Sequence, residues 1–207
     1  MAKKRVGLMG GTFDPIHYGH LVTAESARTK FGLDQVIFIP CGDPPHKDKG
    51  KVSPAAQRLM MVTLATITNS YFHVSDVEIR REGYSYTYDT VEYFHKHYRG
   101  SCELFFITGA DAIRSIYSWK NMELLLERCF FIAATRPGFN LEEWERQEQL
   151  PLNLWQRIHF MAIPALAISS TDIRSRVGKG EAIKYLLPRE VEAYIGKQGL
   201  YKAVNNE

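Results

Sequence analysis

Short apolar runs alternate with stretches of helical periodicity along this chain. Val6, Gly7, Leu8 and Met9 form the first run, followed at once by Gly10 and Gly11. A continuous apolar run of this length, bounded by turn residues, marks a strand buried on both faces of a parallel sheet. Val36-Ile37-Phe38-Ile39 predicts a second strand, stopped by Pro40. A third is expected near Tyr71 to Val77, a fourth at Leu104-Phe105-Phe106-Ile107, a fifth at Phe130-Phe131-Ile132-Ala133, and a less apolar sixth at His159 to Ile163. Leu21, Ala24 and Arg28 continue at helical spacing after a start near Gly19. Ser53 and Pro54 supply an N-cap and a first-turn proline for a helix presenting Met60, Leu64 and Ile67 on one face. Val91, Phe94, His95 and Tyr98 give another helix at i, i+3, i+4, i+7 spacing. Alternation of this kind builds βαβ units around a parallel sheet, with ligands at the carboxyl ends of the strands. The expected fold is α/β: one domain over residues 1–207, a Rossmann-like parallel sheet flanked by helices, with a small helical C-terminal part. In that part Tyr185, Leu186, Val191, Tyr194 and Ile195 either close the core or form an interface, which leaves a homo-oligomer open.

Composition narrows the setting. An apolar fraction of 45% in 207 residues suffices for one substantial core. The net charge of +3 suits polyanionic nucleotides, but no dense Lys/Arg run or basic face appears, so nucleic acid is not an expected partner. Ala2-Lys3-Lys4-Arg5 leads into the first strand without an apolar signal region, and no run of eighteen apolar residues suggests a membrane span. Cys41, Cys102 and Cys129 are odd in number and form no CxxC pair. Cys102 and Cys129 fall at strand entrances, where a small hydrophobe fits. Neither a zinc site nor a disulfide framework is expected, and the compartment expected is the reducing cytoplasm.

Candidate chemistry concentrates at two places. In GGTFDPIHYGH, residues 10–20, Gly10 and Gly11 let the backbone turn tightly and approach a ligand. The helix that follows aims its free N–H groups and positive dipole end at the region above the strand. His17 and His20, three residues apart, can face that same spot, and anionic phosphate is the natural occupant. Late in the chain, Ile168-Ser169-Ser170-Thr171-Asp172-Ile173-Arg174 contains an S-x-x-D capping box, predicting a second helix start at Ser169 with Arg174 as a planar fork for phosphate oxygens. The polar segment 42–51, broken by Pro44 and Pro45, would hang over the site. Its 49–51 end reads as a solvated connector, whereas His46 and Lys47 are close enough to the strand to reach a phosphate.

HYGH within its eleven-residue context resembles the HIGH-type signature of the nucleotidylyltransferase superfamily, and ISSTDIR resembles the ISSTxxR motif of the same superfamily. The resemblance implies a phosphate clamp of the nucleotidylyltransferase type. His17, His20 and Arg174 would be catalytic, and Gly10, Gly11, Thr12, Phe13, Lys47, Ser169, Ser170 and Thr171 would hold ATP. SYTYDT (85–90), Gly109-Ala110-Asp111 and Trp119 with nearby Tyr117 extend the similarity over essentially the whole chain to bacterial nicotinate-nucleotide adenylyltransferases.

What that family does is thereby implied here: nicotinate mononucleotide plus ATP gives nicotinic acid adenine dinucleotide plus pyrophosphate. Trp119 and Tyr117 would meet the pyridine ring, main-chain N–H groups near Thr87 its carboxylate, and Gly109 and Asp111 a ribose or metal. The attacking nucleotide phosphate, with a second pKa of about 6, needs no general base, and no arrangement for a covalent intermediate is visible. Mg2+ is implied as a bridge between phosphates, held by substrate and water; Asp14 and Asp111 are the nearest carboxylates, each alternatively a turn cap. Lys120 departs from the family pattern, in which an aromatic residue often follows the tryptophan, and the difference bears on how the pyridine pocket closes. Phosphopantetheine adenylyltransferases usually carry threonine where this chain has His17, and cytidylyltransferases generally lack the SYT and Trp119 features.

Overall fold

Six strands form one sheet: β1 (Lys4–Gly11), β2 (Gln35–Pro40), β3 (Phe72–Val74), β4 (Cys102–Gly109), β5 (Phe130–Thr135) and β6 (Ile158–Ala162). The computed structural model describes residues 3–44, 52–135, 155–164 and 166–202. Strand order is β3-β2-β1-β4-β5-β6 and every neighbouring pair is parallel. This is the doubly wound order of a Rossmann sheet.

The continuous apolar runs follow from burial on both faces. Met9, Phe38, Phe105, Ile107 and Ile132 point into one core, while Val6, Leu8, Ile37, Ile39, Phe106 and Phe131 point into the other. Successive side chains alternate between faces, so each strand feeds both cores. The first core is covered by helices α1 (Tyr18–Phe31) and α2 (Ala55–Thr66), and by two late helices, α7 (Ser170–Gly178) and α8 (Arg189–Gln198). Helix α3 (Val77–Arg80) follows β3, and α4 (Thr87–His97), α5 (Ala110–Ile113) and α6 (Met122–Arg128) lie against the second core. In the C-terminal part Leu187, Val191 and Ile195 close the first core, whereas Tyr185 is exposed. Cys129 is buried immediately before β5, and Cys102 opens β4.

Two local expectations need correction. β3 has three residues rather than most of 71–77: the Ser75 N–H crosses to the Phe38 carbonyl (2.9 Å), and the chain then turns into α3. Helix α2 begins one residue later than the Ser53 cap predicts and shows a different face. Pro54 occupies the N-cap position, and the Ser53 N–H instead donates to Asp14 Oδ2 at 3.2 Å. Met60 and Ile67 are 46% and 71% exposed, whereas Leu64 packs partly buried against the first core beside the buried Met61, Val62 and Ala65. Arg58 lies on the same helix face as Met61, Val62 and Ala65 and is buried with them.

Arg58 is 1% exposed, and its guanidinium donates to the carbonyls of Ser53 (2.9 Å), Thr12 (2.9 Å) and Gly42 (3.1 Å). It thus ties the turns after β1 and β2 to the start of α2. A buried cation survives only where its donors are satisfied, and here the satisfying groups belong to the segments that shape the site. Arg58→Met leaves three carbonyls without this donor and is expected to lower unfolding stability by about 3 kcal/mol in urea titrations. A loss under about 0.5 kcal/mol, within the range of ordinary surface substitutions, contradicts this account.

Candidate active site

β1 and β4 pair only from Lys4↔Cys102 to Leu8↔Phe106. Beyond that point β1 continues beside β2 to Gly11↔Pro40, and β4 continues beside β5 to Gly109↔Ala134. The two central strands therefore part at their carboxyl ends, at the switch point where the strand order reverses and ligands bind in such sheets. The opening is a cleft of about 540 Å3. Met9 and Gly10 line it from β1, Thr108 and Gly109 from β4, His17, Gly19 and His20 from the α1 entrance, Asp111 from α5, and Ser169 and Ser170 from the α7 entrance.

At the α1 entrance His17 is the N-cap residue, in extended conformation. Gly19 is required by close approach: a Cβ there would lie 2.9 Å from the His17 ring. The two imidazoles are in contact, with centroids 3.8 Å apart. The His17 backbone N–H donates to His20 Nδ1 at 3.2 Å, so the neutral His20 carries its proton on Nε2 and offers it outward. Nδ1 of His17 is buried and has no hydrogen-bond partner among the described residues. Burial lowers the His17 pKa from 6.5 to about 4. Burial, and secondarily the charge of His17, lowers His20 from 6.5 to about 3. At neutral pH the cleft thus holds two uncharged imidazoles.

Gly11, Thr12 and Phe13, expected on ATP, lie outside the cleft lining. Phe13 is buried with its ring edge against His20 at 5.1 Å, and the Thr12 carbonyl is held by Arg58. They back the histidine pair.

The second motif meets the first directly. Ser169 Oγ accepts the Asp172 N–H at 3.1 Å, the cap its sequence predicts, but the Asp172 carboxylate turns to Arg176 Nε (2.8 Å). Ser170 Oγ donates to the Pro15 carbonyl (2.8 Å), and Arg174 Nη1 donates to the Asp14 carbonyl (2.7 Å). Arg174 Nη2 reaches Thr171 Oγ1 at 3.3 Å, so Arg174 and Thr171 sit beside the cleft rather than on its wall. Asp14 is 3% exposed and its carboxylate accepts from the Tyr201 hydroxyl (2.7 Å) and the Ser53 N–H, which makes it a structural tie. Burial, and then the hydrogen bond to Asp14, raises the Tyr201 pKa and keeps the phenol protonated. No sequence pattern announced Arg58 or Tyr201, because their partners are backbone and side-chain groups far away along the chain. The C-terminal part also reaches the site: the Tyr18 N–H donates to the Leu186 carbonyl at 3.1 Å.

A second cleft of about 520 Å3 is walled by Ser85, Tyr86, Thr87, Tyr88, Ala112, Ser115, Ser118, Trp119 and Lys120. Successive residues of α5, Asp111 and Ala112, line the first and second clefts, so the two are neighbours. The Trp119 ring is steadied by Phe106 and Phe131, at 6.1 and 5.9 Å, and its Nε1 donates to Ser115 Oγ at 3.4 Å. Thr87 is the first residue of α4, whose N-cap Tyr86 supplies no side-chain cap, leaving the first-turn amides to other partners. Tyr117, 49% exposed, does not line this cleft. The Gly42 N–H, at the start of the 42–51 segment, donates to Ser85 Oγ at 3.0 Å; His46 and Lys47 lie outside the described residues. Among the described residues no three His, Cys, Asp or Glu side chains form a metal-binding group, and no helix is long and apolar enough to cross a membrane.

Two helix N-termini converging on the switch-point crevice of a parallel sheet define a Rossmann-like α/β protein. Residues 8–176 match a family model described as cytidylyltransferase-like. The chain is 58% identical over 199 residues to a Moorella thermoacetica protein named "Probable nicotinate-nucleotide adenylyltransferase", covering 96% of this chain and 92% of that one. It is 54% identical over 199 residues to a Thermoanaerobacter protein of the same name, covering 96% and 94%. The fold is similar to Plasmodium falciparum nicotinic acid mononucleotide adenylyltransferase complexed with NaAD, with a TM-score of 0.77 at 24% identity over 96% of this chain and 97% of that one. The chain belongs to the cytidylyltransferase-like family and, within it, to the nicotinate-nucleotide adenylyltransferases.

The histidine pair makes stability depend on pH. Both pKa values are lower folded than unfolded, so as pH falls below 6.5 the unfolded chain takes up protons first and stability is lost toward pH 4. Between pH 7 and pH 5 each histidine is expected to remove about 2 kcal/mol. Urea titrations of His20→Asn at the two pH values should show a drop about 2 kcal/mol smaller than the wild type shows. Equal drops contradict the buried, uncharged state of His20.

Proposed function

We propose that this protein transfers the adenylyl group of ATP to nicotinate mononucleotide, forming nicotinic acid adenine dinucleotide and pyrophosphate for NAD biosynthesis in the cytoplasm. The observation that carries this reading is the adjacency of two clefts across α5. One has two helix N-termini and an imidazole pair, and the other has the Trp119 indole beside the first turn of α4, which its N-cap side chain does not cap. The first suits the phosphates of ATP; the second suits a flat, electron-poor ring bearing a carboxylate. The names of the relatives support the same reaction.

A phosphate oxygen of nicotinate mononucleotide forms a bond to the α-phosphorus of ATP as the bond from that phosphorus to the β-phosphate oxygen breaks. Pyrophosphate carries away the electron pair. The attacking phosphate is already ionised near neutral pH, with a second pKa of about 6, so catalysis consists of alignment and neutralisation of charge. The outward Nε2–H of His20, with His17 beside it, donates to the phosphate oxygens where charge develops. Because both imidazoles are uncharged beforehand, no buried cation must be maintained in the empty cleft. Gly10 and Gly109 let the nucleotide approach the backbone, and the amides at Ser169 and Ser170 face the departing pyrophosphate. Arg174 holds the loop before His17 through the Asp14 carbonyl and offers its remaining donors to phosphate; Lys47 adds a cation from the 42–51 segment.

When bound, Mg2+ would supply positive charge against the phosphates. The chain presents Asp111 as a single carboxylate at the cleft, which fits an ion held mostly by substrate oxygens and water.

His20→Ala, shown to be folded by circular dichroism, is expected to cut turnover about 10²- to 10⁴-fold in a pyrophosphate-release assay, the scale of one preorganised charge-stabilising group. Near-normal turnover removes His20 from this role.

A further inference from the structure

The wall of the second cleft carries one formal charge among its described residues, the ammonium of Lys120. Its Nζ donates to both Asp89 oxygens, at 3.2 and 3.0 Å, and lies 4.8 Å from the centroid of the Tyr86 ring. Asp89 sits in the first turn of α4, where a carboxylate is stabilised by the helix N-terminus, and does not itself line the cleft. The side chains of Lys120 and Asp89 are 43% and 28% exposed. A lysine at that exposure ordinarily contributes little, because a flexible chain must be ordered to make the contact. Here the Asp89 pair and the Tyr86 face order it in advance, which removes much of that entropic cost. An ammonium has three donors and no acceptor. Lys120 lines the cleft together with Tyr86, Thr87 and Trp119, so the ammonium tied to Asp89 belongs to the same wall as the indole.

We infer that Lys120 is a specificity-determining residue: its ammonium, positioned by Asp89, selects a mononucleotide whose ring bears a carboxylate over one whose ring bears an amide. The inference rests on the reading of this cleft as the pyridine site. A carboxylate gains a charge-assisted contact that a neutral carboxamide cannot match, while both rings stack equally on the indole. The discrimination therefore falls on binding of the acid and leaves the adenylyl-transfer step itself alone.

The test compares kcat and KM of wild type, Lys120→Met and Lys120→Arg with nicotinate and nicotinamide mononucleotides, using pyrophosphate release from ATP and Mg2+. Methionine keeps most of the apolar stem and removes the charge. In Lys120→Met the KM for the nicotinate form should rise about tenfold, as for loss of one solvent-accessible charge-assisted contact, with the effect on KM rather than kcat. The KM for the amide should stay near wild type, so the acid-over-amide ratio of kcat/KM falls about tenfold. Lys120→Arg should retain most of the preference, and added salt should erode it in the wild type and not in Lys120→Met. Wild-type turnover with the preference intact in Lys120→Met, or equal weakening of both substrates, overturns the role of Lys120 alone. Absence of pyrophosphate release by the wild type with either nucleotide overturns the adenylyl-transfer reading and this inference with it.

Discussion

Everything at the site depends on where β1 and β4 stop pairing. After Leu8 and Phe106 the two strands follow different neighbours, and the backbone groups of Met9, Gly10, Thr108 and Gly109 are left beside an opening. A sheet wound in one direction throughout would have no such gap. Because crossovers go to opposite faces on the two sides of β1, α1 arrives from one face and α5 from the other, and each delivers its N-terminal end to the crevice. The first cleft is thus a consequence of topology before any side chain is considered.

What topology opens, buried polar contacts hold in shape. Arg58 gathers three carbonyls, among them that of Thr12. Asp14 joins the start of α2 to Tyr201 near the C-terminus, and Arg174 and Ser170 join α7 to the Asp14 and Pro15 carbonyls. These contacts converge on the turn that precedes His17, from parts of the chain more than 150 residues away in the case of α7. Such a network leaves the imidazole pair little freedom, which is the condition for electrostatic preorganisation. Arg174 braces the loop from a position beside the first cleft.

The central strands were legible because a strand covered on both faces must be apolar at nearly every position, and the runs at Val6, Val36, Leu104 and Phe130 have no other reading at that length. The Ser169 cap was legible because capping is local, decided within four residues. The face of α2 was not. Met60, Leu64 and Ile67 satisfy helical spacing as well as Met61 and Ala65 do, and the choice is made by Arg58, whose partners lie in other segments. The motif residues split for the same reason. Spacing brings His17 and His20 to one spot, but only long-range packing decides that Phe13 backs His20 and that Arg174 is tied to the Asp14 carbonyl beside the cleft. Lys120, a mere departure from a pattern in the sequence, acquires chemistry once Asp89 and Tyr86 are seen to hold it.

The reaction assigned to the paired clefts is tested most directly by pyrophosphate release from ATP and Mg2+ with nicotinate mononucleotide and phosphopantetheine offered in parallel. Release with nicotinate mononucleotide and none with phosphopantetheine is the predicted result, since the site proposed beside Trp119 and the first turn of α4 suits a flat ring bearing a carboxylate. Turnover with phosphopantetheine in place of the pyridine nucleotide would keep the phosphate chemistry of His17 and His20 but contradict the assignment of the second cleft, and with it the function proposed.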